Sequence, residues 1–228
     1  MSGTNIKVVA IIAAGGSGVR MKTGIPKQFL ILQNKPIIIH TLEKFAGCRG
    51  VQQINLIVPL AEMAKTIQLI GKWNLAKSVE VIAGGKTRQH SVWNGLNQLP
   101  DNTDIVMIHD GVRPFISKEI INKCIKETKK WEAVITALPL SDTIKEVVDY
   151  RVQATLDRSK LWRVQTPQSF TKDLLIKAYK KAWQNNIIAT DDSALVEYIG
   201  HAVRVIKGEE KNIKITSPED LKIAEKFI

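Results

Sequence analysis

The run IKVVAIIAAGGSGVRM at residues 6–21 constrains this chain more than any other stretch. Ile6 to Ile12 is apolar, rich in β-branched residues, short, and ended by turn residues. Such a run reads as a strand buried on both faces, which requires a sheet covered by helices on each side. It breaks into Gly15-Gly16-Ser17-Gly18, where the backbone can turn sharply and approach a ligand with no Cβ in the way. Backbone N–H groups in such a loop converge on phosphate oxygens. Arg20 and Lys27 follow at once, and a Gly-rich loop with two cations suits a triphosphate. The loop is not a P-loop, because no Gly-Lys-Ser/Thr closes it, and G-x-G-x-x-G does not occur. Taken alone, it has a second, weaker reading as a tight strand-to-helix turn that binds nothing.

The rest of the chain alternates strand and helix patterns. Pro36 to Phe45 reads as a helix with Pro in its first turn. Gln53 to Pro59 reads as a strand and Leu60 to Lys72 as a helix. Val79 to Ala83 is a third strand, ending in Gly84-Gly85, and a helix is expected from about Thr87 to Leu99. Ile105 to His109 is a fourth strand, ending in Asp110-Gly111-Val112-Arg113-Pro114. Ser117 is placed as a helix N-cap, with Ile120 and Ile121 on the apolar face and Lys129-Lys130 in the last turn. Ala133 to Leu138 is a fifth strand. This order predicts an α/β fold with a doubly wound, mostly parallel sheet, in which ligands sit at the carboxyl ends of the strands. The three Gly-bearing loops fall at those ends.

The pattern changes at Ser141 to Gln153, where polar residues alternate with Ile144, Val147 and Val152 around a turn near Asp149. This predicts a protruding β-arm at about residues 139–160 on a single domain spanning 1–228, able to act as a flap or to pair with a second subunit. Leu161 to Gln168 returns to the main body. Helices are expected at about Thr171 to Gln184 and Asp191 to Tyr198, and a short strand at Val203 to Ile206. Ser217-Pro218-Glu219-Asp220 opens the last helix, with Ser as N-cap and Pro at its first position.

Bulk properties narrow the class. The chain has 228 residues and 44% hydrophobic content, enough for a sizeable core. No apolar run approaches a membrane span, so no membrane partner is expected. The first residues lack a signal-peptide layout. Cys48 and Cys124 form no spaced framework, which points to a reducing, cytoplasmic setting. The histidines (40, 90, 109 and 201) make no metal motif, so any metal is expected to be Mg²⁺ held by a carboxylate and substrate phosphates. The net charge of +11 favours an anionic partner. Aromatics are only 6% and no basic run is interleaved with them, so a small phosphorylated substrate is favoured over nucleic acid. A non-catalytic nucleotide- or nucleic-acid-binding module is the alternative from another class, motivated by a pI near 9.6.

Eight motifs occur in order: AAGGSGVRM (13–21), PKQF (26–29), GGKTRQHSV (84–92), HDGVRP (109–114), DT (142–143), DRSKLWRVQTPQSF (157–170), TDDSALVE (190–197) and NIKITSPEDL (212–221). In this order they resemble the 2-C-methyl-D-erythritol 4-phosphate cytidylyltransferases of the non-mevalonate isoprenoid pathway, from about Lys7 to the C-terminus. Ribitol-5-phosphate cytidylyltransferases share the first half and are the alternative within the class; Trp162 and TDDSALVE look more like the erythritol enzymes. One departure is Gly111, where the family more often has Ala.

The resemblance implies a reaction in which a phosphate oxygen of methylerythritol phosphate displaces pyrophosphate from CTP. Residues Ala13, Ala14, Gly15, Gly16, Ser17 and Gly18 would then hold the nucleotide, and Arg20 and Lys27 would stabilise the pentacoordinate phosphorus. Gly85 and Ser91 would help select the pyrimidine. Arg158 and Lys214 would grip the acceptor phosphate, with hydroxyl contacts from Thr143 and Thr190. The arm would cross to a twofold partner, so that Thr143 and Arg158 complete the neighbour's site in a homodimer. Asp110 can meet substrate hydroxyls, the ribose or Mg²⁺, or can cap loop N–H groups. Arg113 can meet substrate oxygens or pair with Asp110. His109, on an apolar strand, reads as a core histidine with its hydrogen bonds made.

Overall fold

The structure is a computed structural model that describes residues 6–16 and 25–228. The elements it describes are built around a seven-stranded sheet of order β11-β7-β10-β6-β1-β4-β5. These strands are β1 (Val8–Ala13), β4 (Gln53–Val58), β5 (Val79–Ala83), β6 (Ile105–Asp110), β7 (Ala133–Pro139), β10 (Trp162–Thr171) and β11 (Arg204–Lys207). A short β2–β3 ribbon (Ile31–Leu32 and Lys35–Pro36) lies outside it. All ladders of the large sheet are parallel except those of β10, which runs antiparallel to β6 and β7. The fold is therefore the doubly wound α/β architecture expected from the strand–helix alternation.

Strand β1 shows why its sequence must be apolar throughout. Val8, Ala10 and Ile12 face one core, with Ile38, Leu42 and Phe45 of α1 (Ile37–Ala46), Ile70 of α2 (Met63–Lys72) and Ile121 and Cys124 of α4 (Lys118–Trp131). Ile11 faces the other core, with Val92 and Leu96 of α3 (Arg88–Leu96), Leu175 and Tyr179 of α5 (Lys172–Gln184) and Leu195 of α6 (Asp192–Tyr198). Each fully buried Ile or Leu contributes about 1.5–3 kcal/mol of transfer free energy.

Several expected boundaries hold and others move. Ser117 caps α4, its Oγ accepting from Ile120 N at 3.1 Å. Ser217 and Asp220 form a reciprocal capping box at α7 (Pro218–Glu225). Leu60–Glu62 is a 3₁₀ turn before α2, so the expected helix is two pieces. The helix expected over 87–99 stops at Leu96, and Thr87 is its N-cap. The return segment is a strand in the middle of the sheet, β10, although much of it is polar.

The arm consists of β8 (Lys145–Val148) and β9 (Arg151–Thr155), paired antiparallel through the two-residue turn Asp149-Tyr150. Both turn residues have positive φ (48° and 61°), the backbone of the turns that best match strand twist. Val147, Val148, Tyr150 and Val152 are all exposed.

Replacing buried Leu42 by Ala is expected to cost about 2–5 kcal/mol in urea unfolding. The same change at Leu60, which is 74% exposed, should cost less than about 0.5 kcal/mol. Equal losses at the two positions would contradict the packing described.

Candidate active site

Strand register sets the site. Ala13 of β1 pairs with both Ile57 of β4 and Asp110 of β6, so the glycine loop and the acidic loop leave the sheet at one edge. Three backbone bonds carry the ladder past the strand ends: Ala14 N to Ile57 O (2.8 Å), Gly111 N to Ala13 O (2.9 Å) and Gly84 N to Val58 O (2.7 Å). Above this edge lies a cavity of about 440 Å³. It brings together Ala13, Ala14, Gly15, Gly16 and Lys27 from the first loop, Gly85 and Ser91 from the second, and Asp110 and Lys214. Ser17, Gly18 and Arg20 lie outside the described residues.

Each wall has a local cause. Gln28 is buried and donates to Ala14 O at 2.8 Å, which ties the 3₁₀ turn Lys27–Phe29 beneath the glycine loop. Lys27 Nζ lies 3.8 Å from where a Cβ on Gly16 would stand, so the ammonium lies beside the loop backbone. Gly85 has to be glycine, because a Cβ there would meet His90 Cβ at 2.5 Å. Ser91 Oγ accepts from Gly85 N at 3.1 Å and donates to Thr87 O at 2.8 Å. That pair locks the second loop onto the first turn of α3. At Gly111 a methyl would meet Ile38 Cδ1 at 2.8 Å and Ala14 Cβ at 3.0 Å, so these neighbours occupy the space an Ala would use.

Asp110 is buried and its Oδ2 collects two cations, Arg113 Nε at 3.0 Å and Lys214 Nζ at 3.1 Å. Burial alone would raise its pKa. The charges of Lys214, Arg113 and Arg88 outweigh that and hold the carboxyl well below the usual carboxylate range. Arg113 also donates to Asn212 O at 2.8 Å, so this guanidinium is committed to the protein interior. His109 is fully buried, and burial pushes its pKa down to about 4. Nε2 donates to Arg113 O, Nδ1 accepts from Thr166 Oγ1, and Thr166 Oγ1 accepts from Asp110 N. This is a neutral core histidine that orients the Asp110 backbone. Thr166 and Asn212 were not singled out from sequence, because their partners lie 46 or more residues away.

The matches to known proteins bear on this geometry. The family model for 2-C-methyl-D-erythritol 4-phosphate cytidylyltransferase (IspD) matches residues 8–228. The chain belongs to this family. A relative of that name from Clostridioides difficile is 47% identical over 219 residues, covering 96% of this chain and 92% of its own length. One from Syntrophus aciditrophicus is 43% identical, covering 97% and 96%. The crystal structure of 4-diphosphocytidyl-2C-methyl-D-erythritol synthase from Anaerococcus prevotii superposes with a TM-score of 0.86 at 32% identity, covering 98% of both chains.

Not all nominated residues converge on the cavity. Thr143 and Arg158 are exposed at the two ends of the arm, and Arg158 donates to Ser141 O. Thr190 is exposed just before α6. Among the described residues lining the cavity, Asp110 is the one carboxylate, and no cluster of three or more His, Cys, Asp or Glu stands ready for a metal among the described residues. A single ionised carboxylate fits Mg²⁺ that takes most of its ligands from substrate phosphates and water. No helix among the described residues is long and apolar enough to cross a membrane.

The two ion pairs of Asp110 should separate in a stability assay. Removing the carboxylate (Asp110→Ala) strands the buried Arg113 and is expected to cost about 3–5 kcal/mol. Removing Lys214, whose side chain is 40% exposed, should cost about 1 kcal/mol or less. Comparable losses in denaturant unfolding would contradict this division.

Proposed function

We propose that the protein transfers CMP from CTP to 2-C-methyl-D-erythritol 4-phosphate and releases pyrophosphate, within non-mevalonate isoprenoid precursor synthesis. The observation that carries this is the meeting of the glycine loop, Lys27 and the Asp110–Lys214 pair in one cavity at the carboxyl edge of the sheet. An acceptor phosphate oxygen forms the new bond to the α-phosphorus, and the bond from that phosphorus to the β-phosphate oxygen breaks. The acceptor phosphate is already an anion, so no side-chain nucleophile or base is needed. Catalysis then rests on alignment and on cations aimed at developing charge. Lys27 and Arg20 are assigned to the α-phosphate and the leaving group. Ala13 to Gly18 hold the triphosphate, and Gly85 and Ser91 flank the base. Mg²⁺, with Asp110 as the protein ligand that would hold it, would supply further charge neutralisation on the phosphates.

The acceptor side is assigned to Lys214, Thr190, Thr143 and Arg158, with Arg113 acting behind them as the buried partner of Asp110. Lys214 lies in the cavity, whereas Thr143 and Arg158 belong to the arm. The exposed valines of the arm support a homodimer in which each arm completes the partner's site. Two free, buried cysteines are in keeping with a cytoplasmic setting.

Lys27→Ala is expected to lower kcat for pyrophosphate release by about 10²–10³ while the protein stays folded. Undiminished turnover would remove Lys27 from its assigned role. Arg158→Ala should also be inactive as a homodimer. After subunit exchange, a mixture of the two variants should regain up to about one quarter of native activity, because heterodimers hold one intact composite site. No recovery, with exchange verified, would contradict a shared site.

A further inference from the structure

Arg88 lines the same cavity as Gly85, Ser91 and Asp110. It is the first residue of α3, directly after the N-cap Thr87. Its guanidinium donates from one terminal nitrogen to Asp192 Oδ2 at 2.6 Å. Asp192 is buried, with only 1% of its side chain exposed. Its other oxygen accepts from the Tyr179 hydroxyl at 2.6 Å. Both carboxylate oxygens are thus occupied by short, charge-assisted or phenolic hydrogen bonds.

The support continues behind Asp192. Gln168 on β10 accepts from the backbone N–H groups of Asp192 and Ser193, each at 3.1 Å, and donates to Asp191 Oδ2 at 2.7 Å. Gln89, next to Arg88, binds the same segment independently: it donates to Ile187 O and accepts from Ala189 N, both at 3.1 Å. A central strand therefore fixes the start of α6, α6 fixes Asp192, and Asp192 fixes Arg88 at the cavity wall. The charge of Arg88 also helps hold Asp110 ionised.

A buried carboxylate is costly and is not needed merely to fill space. What this one does is immobilise one long cation. A free arginine side chain has rotamer entropy to lose on binding, and one already held has lost it. The contact to Asp192 uses one N–H of the five that a guanidinium carries. We propose that Arg88 is a preset binding cation for the nucleoside triphosphate, and that Asp192 and Tyr179 are positioning residues acting through it. The inference deepens the cytidylyl-transfer reading and rests on it for the identity of the nucleotide.

The test uses the intact chain and three variants: Arg88→Lys, Asp192→Asn and Tyr179→Phe. CTP binding with Mg²⁺ and no acceptor is measured by calorimetry, and kcat and KM for each substrate by pyrophosphate release. Arg88→Lys keeps the charge but loses the planar fork, and should weaken CTP binding and raise its KM about 10- to 100-fold. KM for the acceptor should move less than threefold. Tyr179→Phe preserves shape and should shift the CTP constants about two- to fivefold in the same direction. The double variant Arg88→Lys/Asp192→Asn should be no worse for CTP than Arg88→Lys alone, as expected if Asp192 acts through Arg88. CTP affinity within twofold of native in Arg88→Lys would overturn the proposal and leave the pair a structural pin between α3 and α6. A change confined to the acceptor KM would overturn the nucleotide assignment. If the native chain binds CTP without releasing pyrophosphate, the transfer reading fails while the calorimetric comparison still decides the role of Arg88.

Discussion

The buried carboxylate of Asp110 is the charge on which the rest of the cavity depends. An unpaired carboxylate at that depth would be protonated or would open the structure. Lys214, Arg113 and Arg88 keep it ionised, and each comes from a different part of the chain. Arg113 ties it to the Asn212 segment, Lys214 reaches in from just beyond that segment, and Arg88 lines the same cavity from the start of α3. The neutral His109 and Thr166 hold the backbone of the same residue from below. A site that binds two polyanionic substrates needs surplus cations, and the cations must not collapse the apo cavity by repulsion. A buried carboxylate held ionised by its cations meets both needs.

Much of the fold is legible in the sequence because the period of the apolar residues matches the element type. β1 alternates between two cores, so every residue in it must be apolar, and both its face assignment and its place inside the sheet follow. The N-caps at Ser117 and Ser217 are visible because capping is a local interaction. β10 is different. Gln165, Thr166, Gln168 and Ser169 are buried, and they are tolerated because His109, Asn212, Thr128 and the α6 N-terminus satisfy them. Those partners are distant in sequence, so a central strand looks like a polar loop.

The candidate site divides in the same way. Gly15, Gly16, Lys27, Gly85, Ser91, Asp110 and Lys214 do meet in one cavity. Arg88 and Asp192 stand 104 residues apart, and neither residue type in its local setting announces the pair. The readable signal was a cation between Gly85 and Ser91 and a second acid in TDDSALVE. Thr143 and Arg158 stand apart from the described cavity on the arm, as a composite site in the proposed dimer requires, and Thr190 lies outside it just before α6. Among the described residues the β8–β9 ribbon pairs with no third strand, and a two-stranded ribbon gains little stability by itself in water.

Central to this reading is that the cavity joins CTP to a branched four-carbon sugar-alcohol phosphate. Pyrophosphate release from CTP and Mg²⁺, measured in parallel with 2-C-methyl-D-erythritol 4-phosphate and with ribitol 5-phosphate, tests that most directly. Release with the methylerythritol phosphate and at most a trace with the ribitol phosphate is expected. Release with ribitol 5-phosphate alone would keep the fold and the nucleotide half and overturn the acceptor assignment, and release with neither would contradict the transfer itself.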